Sequence, residues 1–248
     1  PYPEVRESTA RTLEYAYDDW CIAEMARLVG QPDVYKTFIK RAQFYKNLFD
    51  LETRFFRGRV NGGWYAPFDP YEVNFIYTEA NAWQYRFFVP QDVQGMIRLF
   101  GGDEAFTAAL DTLFTTSSMM TGRVQPDISG MIGQYAHGNE PSHHIAYLYP
   151  FAGQPWKTQK WVRRILDEQY SDRPDGLSGN EDAGQMSAWY ILSAMGFYPV
   201  TPGTDTYIIG SPLFKEVSIE LPGGKKFLIK ANNLSDDHPY IQSVRLNG

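Results

Sequence analysis

Residues 175–200 read DGLSGNEDAGQMSAWYILSAMGFYPV, and within them the chain passes from loop to helix to strand. The run QMSAWYILSAM is apolar on nearly every side, which marks a helix buried all round. The pattern predicts a helix from about Asp182 to Met195, with Gly196 as its left-handed stop and Pro199 just beyond. A helix buried on every side needs an outer layer of helices to cover it. That requirement predicts a mainly α fold with concentric packing, an α/α barrel or toroid, with a simple bundle as the alternative. No self-similar repeat of roughly 20 to 50 residues is visible, which weighs against a regular solenoid.

Downstream of Pro199 the texture changes. TYIIG, EVSIEL, KKFLIKA and YIQSVRL are short, β-branched segments separated by Pro, Gly and Asn, with PGGK as a turn between two of them. They predict an antiparallel β segment over residues 200–248, following a helical domain over residues 1–199. Its open edge predicts a β unit that is incomplete or packs on the helices.

Upstream, Leu13, Tyr17 and Trp20 stand at helical spacing in a helix expected from Glu4 to Val29. A second helix is expected after Asp33, with Val34, Phe38, Ala42, Tyr45 and Phe49 on one face. RFFRGRVNGGWYAPFDP then reads as a long irregular segment. Further helices are predicted at 79–88, 91–100, 103–115, 127–136, 141–152 and 155–170.

Composition excludes several classes of function. The 248 residues carry 29 acidic and 23 basic side chains, a net charge of -6 with no basic block, so no nucleic-acid partner is expected. No stretch reaches the roughly 20 apolar residues of a membrane helix, so no membrane partner is expected either. Cys21 is the single cysteine and forbids an internal disulfide. With 43% hydrophobic residues the chain can bury a core. Its 16% aromatic content serves either that core or flat walls for sugar faces. The opening PYPEVRESTA has no Met, basic region or apolar stretch, and reads as a processed chain or a fragment of something longer.

Three segments concentrate polar groups against aromatic flanks. YAHGNEPSHH, residues 135–144, holds three of the four histidines. Pro141 suits a first helical turn and keeps Glu140 out of the α region, so Glu140 is expected at a helix mouth. A carboxyl there could move protons with His137, His143 or His144 nearby, or simply sit at a positive helix end. The histidine spacing matches no zinc signature, and zinc is disfavoured. In DGLSGNEDAGQMSAWY, Asn180, Glu181, Asp182 and Gln185 offer oxygen donors suited to a hard cation such as calcium. Asp182 and Gln185 also read as a capping box. YTEANAWQYRFFVPQD, residues 77–92, carries Glu79, Asn81, Trp83, Gln84 and Tyr85, the equipment of a sugar pocket, although Trp83 and Phe87 could equally be core. A weaker fourth segment, EYAYDDWCIA, sets Asp18 and Asp19 in an aromatic helix face.

Taken together, EYAYDDW, EANAWQY, HGNEPSHH, AGQPWKTQKWVR, DGLSGNEDAGQMSAWYILSAMGFYPV and GSPLF resemble glycoside hydrolase family 92, the calcium-dependent exo-α-mannosidases. The match runs in order from about Leu13 to the C-terminus. The resemblance implies an (α/α)6 barrel, part of whose catalytic domain is residues 1–199, followed by the start of a C-terminal β-sheet region. It implies inverting hydrolysis of terminal α-mannosides in mannose-containing glycans, with Ca2+ as cofactor at Asn180, Glu181, Asp182 and Gln185. Glu140 matches the family's general acid. A glutamine there would suit a phosphate leaving group, so the glutamate favours an ordinary glycosidic bond. Asp182 is the first choice for the base, whose true position could lie beyond Gly248. Glu79, Trp83, His137, Asn139, His143 and His144 are expected around the substrate.

The resemblance further implies an N-terminal β-sandwich and a first portion of the barrel outside these residues, as partners for folding. It also implies export to the periplasm or the medium. A non-catalytic glycan-binding fragment is the alternative reading, and a purely structural helical module the third.

Overall fold

The computed structural model describes residues 6–235 and 237–247. The chain is mainly helical with short strand pairs, and it forms two compact units, Pro1–Ile145 and Ala146–Gly248. The change of texture near residue 200 falls inside the second unit. Among the described residues no helix is long and apolar enough to cross a membrane.

In the first unit α1 (Ser8–Leu28) buries Leu13, Ala16, Ala23 and Ala26 along one stripe. The expected start at Glu4 lies outside the described residues. α2 (Pro32–Arg41) packs against α1 but ends eight residues before the predicted face runs out. A 3-10 turn, Phe44–Leu48, continues it, and Tyr45 and Phe49 are buried while Val34 is exposed. The segment expected to be irregular forms small antiparallel pairs, including Arg59–Val60 with Gly63–Trp64.

The core of this unit is aromatic. Phe49 meets Phe56 and Phe100, and Phe87 stacks on Phe100 and meets Phe106 edge-on. Arg86 is buried among these rings, its guanidinium 4.0 Å from the centre of Phe55 and 4.9 Å from that of Trp83, while Nε donates to the Arg54 carbonyl at 3.0 Å. Burial, and then the charge of Arg54, pulls its pKa down to about 10, so the cation persists at neutral pH and is stabilised by the ring faces.

α3 (Ala82–Tyr85) is much shorter than the helix expected at 79–88. Asn81 and Gln84 close a capping box, and Gln84 Nε2 also donates to the Gln134 carbonyl at 2.8 Å. α4 (Val93–Phe100) is capped by Asp92, whose Oδ1 accepts from the Gly95 N–H at 2.8 Å, and α5 spans Asp103–Thr115. The helix expected at 127–136 does not form. Met131–Ile132 pairs instead with Tyr135–Ala136 around Gly133, whose φ is +60°. A Cβ at that glycine would fall 2.3 Å from the Leu113 carbonyl oxygen, so glycine is required there. The 141–152 helix is also absent. Pro141 and Pro150 interrupt i to i-4 bonding, and three 3-10 turns, Glu140–Ser142, Ile145–Tyr147 and Tyr149–Ala152, take its place.

In the second unit α6 (Pro155–Gln169) packs against α7 (Gln185–Met195). Trp189 is fully buried against Tyr147, Tyr170 and Tyr198, and Tyr147 Oη donates to Ser193 Oγ at 2.7 Å. The expectation that α7 is buried all round fails on its other side, where Ile191 is 56% exposed. The helix ends as predicted at Gly196, φ +105°. Phe197–Tyr198 pairs with Ile208–Ile209, and Glu216–Leu221 pairs with Lys225–Lys230 through the PGG turn, both antiparallel. YIQSVRL is not a strand, and the terminal Gly248 lies outside the described residues.

Candidate active site

The turn after the 131–136 hairpin is built to present one carboxyl. His137 N donates to the Gly130 carbonyl and Gly138 N to that of Ser129, which returns the chain toward the hairpin. Asn139 is extended (φ -137°, ψ 140°), and Pro141 opens the 3-10 turn Glu140–Ser142. Glu140 is thus exposed at a helical mouth, between buried Asn139 and buried Pro141.

That carboxyl borders a cavity of about 180 Å3, also lined by Glu14, Thr78, Glu79, Tyr85, Phe88, Asn139 and Pro141. It is smaller than the roughly 300–1,000 Å3 of pockets for drug-sized ligands. Asn139 Nδ2 donates to the Glu79 carbonyl at 3.0 Å. Glu79 holds the left-handed conformation, φ 48°, which is strained for a non-glycine residue. The residue before the candidate acid therefore clamps the strained residue across the cavity.

Of the residues predicted around the substrate, Glu79 and Asn139 reach this cavity with Glu140. The others do not line it. Trp83 is 5% exposed and meets Phe55 edge-on at 4.9 Å, inside the aromatic core instead of on a sugar wall. The three histidines are buried and occupied by the fold. His143 Nε2 donates to the His137 carbonyl and His144 Nε2 to the Phe87 carbonyl, each at 2.8 Å, while His137 Nδ1 pairs with Tyr135 Oη at 2.8 Å. Glu14 and Thr78 were not singled out by sequence, although Glu14 opens the EYAYDDW motif. Of the aspartates in that motif, Asp19 is buried against Arg41 at 3.0 Å and Asp18 is exposed.

Burial lowers the pKa of His137 well below the usual imidazole value, with the neighbouring His143 adding to the effect. For His144 burial is again the main cause, and the pKa falls to about 4. Both groups are neutral when folded and gain protons more readily once unfolded. Stability is therefore fully present above the unfolded pKa of about 6.5 and declines as pH falls, until the folded value is passed. Unfolding free energies from denaturant titrations between pH 7 and pH 5 should fall, by up to roughly 1.4 kcal/mol per pH unit for each histidine below about pH 6.5. Replacing His144 by Gln should remove its share of that slope.

The 180–185 turn lies in the second unit. The capping box expected between Asp182 and Gln185 does not form. Asp182 and Ala183 are both left-handed, φ 48° and 54°, which delays the helix to Gln185. Glu181 caps it instead, accepting from Ser187 N at 3.0 Å and Ser187 Oγ at 2.7 Å. Those two hydrogen bonds lower its pKa. Gln185 Nε2 donates to Tyr198 Oη at 3.2 Å. Asn180 and Asp182 are exposed beside it. Among the described residues no three His, Cys, Asp or Glu side chains gather where they could hold a metal ion. A cation at this turn would therefore draw on the amide oxygens of Asn180 and Gln185 as well as on Glu181 and Asp182. The all-oxygen donor set fits a hard cation in kind.

Comparison with known proteins bears on this arrangement. The chain is similar to the family GH92 α-mannosidase BT3965 of Bacteroides thetaiotaomicron, whose structure is known in complex with mannoimidazole. The identity is 46% and the TM-score 0.89, over 95% of this chain and 32% of that one. The inverting mannosidase BT2199 of the same organism matches with 45% identity and a TM-score of 0.86, over 97% of this chain and 34% of that one. A curated relative, an uncharacterized secreted glycosidase of Arthroderma benhamiae, is 28% identical over 97% of this chain and 32% of its own length. The chain thus spans about a third of the length of the relatives it matches. The model of the glycosyl hydrolase family 92 catalytic domain matches residues 1–248 throughout, and the chain belongs to that family.

Proposed function

We propose that this chain is part of an exo-α-mannosidase that hydrolyses terminal α-linked mannose with inversion, with Glu140 as general acid. The observation that carries the reading is an exposed carboxyl on a small cavity lined by two further glutamates, in a chain of family 92. The extended Asn139 brings the chain to the turn and Glu140 is its first residue, followed by Pro141, so the carboxyl stands on a hydrogen-bonded 3-10 turn that limits the directions from which it meets a glycosidic oxygen. The acid gives its proton to the departing oxygen while water attacks the opposite face of the ring. In an inverting enzyme acid and base stand roughly 6.5–9.5 Å apart. Asp182, exposed on its left-handed turn, is the proposed base among the residues of this chain.

Asn180, Glu181, Asp182 and Gln185 would hold calcium through their oxygens. Bound there, the ion supplies a positive charge to the sugar hydroxyls. In the whole protein the helices would form part of an (α/α)6 barrel. A mannose-containing glycan is the substrate and a periplasmic or secreted location the setting, the latter supported by the secreted relative.

The complete protein should release mannose from α-mannosides, with the β-anomer appearing first by NMR. Chelation should abolish turnover and calcium restore it. Mannose binding without any hydrolysis would favour the glycan-binding alternative, and α-mannose as the first product would exclude inversion.

A further inference from the structure

A third glutamate, beside Glu79 and Glu140, lines the cavity. Glu14 stands half-buried on α1, and Tyr85 donates its Oη to Glu14 Oε1 at 2.6 Å. Tyr85 is 1% exposed and lines the same cavity. Its phenol pKa is driven far up, chiefly by burial and then by the charge and hydrogen bond of Glu14, while Thr78 acts in the opposite direction. The phenol therefore remains a donor at every working pH. A glutamate that only solvates a helix face has no need of a buried phenol 71 residues away. Fixing one carboxylate oxygen narrows the directions open to the other, which is how a site holds an acceptor for a single donor. An ionised carboxylate only accepts, and a sugar ring offers hydroxyl donors at fixed positions.

We propose that Glu14 is a specificity-determining residue: held by Tyr85, it accepts a hydrogen bond from one hydroxyl of the sugar ring in the cavity. The proposal rests on the mannosidase reading and deepens it by assigning one wall of the sugar site. Sites built to pair with a hydroxyl reject the analogue that lacks it, because a buried polar group is then left without a partner.

The test uses the complete protein and its Glu14→Gln and Tyr85→Phe variants, on an α-mannoside and its 2-, 3-, 4- and 6-deoxy counterparts. Glu14→Gln should raise KM on the intact sugar about tenfold and cut discrimination against one deoxy analogue by about the same factor. The pH profile of kcat should be unchanged. Tyr85→Phe should shift the same analogue in the same direction by about threefold, through looser placement of Glu14. A residue that only satisfies the Tyr85 hydroxyl would instead lower activity equally on every analogue. That result, or unchanged discrimination in both variants, overturns the proposal. If the complete protein hydrolyses no α-mannoside, the mannosidase reading fails separately. Calorimetric titration with mannose and the deoxymannoses then decides the role of Glu14: loss of one preference in Glu14→Gln supports it, and unchanged preference or no mannose binding overturns it.

Discussion

Glu140→Gln should lower kcat on α-mannosides with poor leaving groups by about 10²- to 10⁴-fold, the range for loss of a positioned proton donor. Glutamine keeps the size of the side chain and leaves Asn139 and Pro141, which set its backbone, untouched. The loss therefore reports proton transfer and not collapse of the turn. Aryl mannosides whose leaving group needs no proton should be affected far less, and KM should move little on either substrate. Steady-state kinetics on a series of leaving groups measures both quantities. Equal losses across the series would remove the acid role from Glu140 and leave it a binding residue.

Arg57→Met should destabilise the complete protein by about 3–5 kcal/mol, because it strands a buried carboxylate. Arg57 Nη1 lies 2.7 Å from Asp50 Oδ2, and the two side chains are only 11% and 7% exposed. The guanidinium also donates to the Tyr65 carbonyl at 3.0 Å and packs over Phe68, 4.3 Å from the ring centre. Burial alone would raise the pKa of Asp50. The hydrogen bonds from Arg57, Thr53 and the Glu52 amide, with the charge of Arg57, prevail and lower it.

A folded pKa below the unfolded value means that Asp50 contributes stability above about pH 4, and that this is lost as pH falls through the folded value. In Arg57→Met the carboxyl loses its charged partner and keeps only the Thr53 and Glu52 bonds, so its pKa should rise and protonation should relieve part of the strain. Urea unfolding at pH 7 and at about pH 4 should show the difference between variant and wild type shrinking in acid. A difference that does not change with pH would mean that Arg57 acts through its ring contacts alone.

The helices that could be read from sequence are those with local signals at both ends. α5 occupies residues 103–115 as predicted, between Gly102 and the extended Thr116, and α6 follows Pro155 with a clean apolar stripe. Apolar spacing misled at 127–136, where Gly133 and the aromatic Tyr135 signalled a hairpin. It misled again at 141–152, where two prolines outweighed the pattern. Of the residues singled out by sequence, Glu79, Asn139 and Glu140 come together at the cavity, because the two motifs that carry them are joined by the bond from Asn139 to the Glu79 carbonyl. The histidines and Trp83 do not line the cavity because residue type carries no information about burial, and the Tyr135 hydroxyl and the backbone carbonyls of His137 and Phe87 that engage the histidines are invisible in a motif. Glu14 was not singled out because its partner Tyr85 lies far away in the chain.

The bond from Asn139 to the Glu79 carbonyl spans 60 residues, and that from Tyr85 to Glu14 spans 71. The cavity thus draws on stretches far apart in the chain. During synthesis the contact between α1 and α3 can close once residue 85 is free, but the Glu79 side must wait for residue 139 to leave the ribosome, since loop closure precedes the contacts that reward it. The cavity is therefore completed late in synthesis. Ligand would hold together three distant stretches of chain at once, so hydrogen exchange in the 76–88 and 131–142 segments should slow in concert when a sugar is bound.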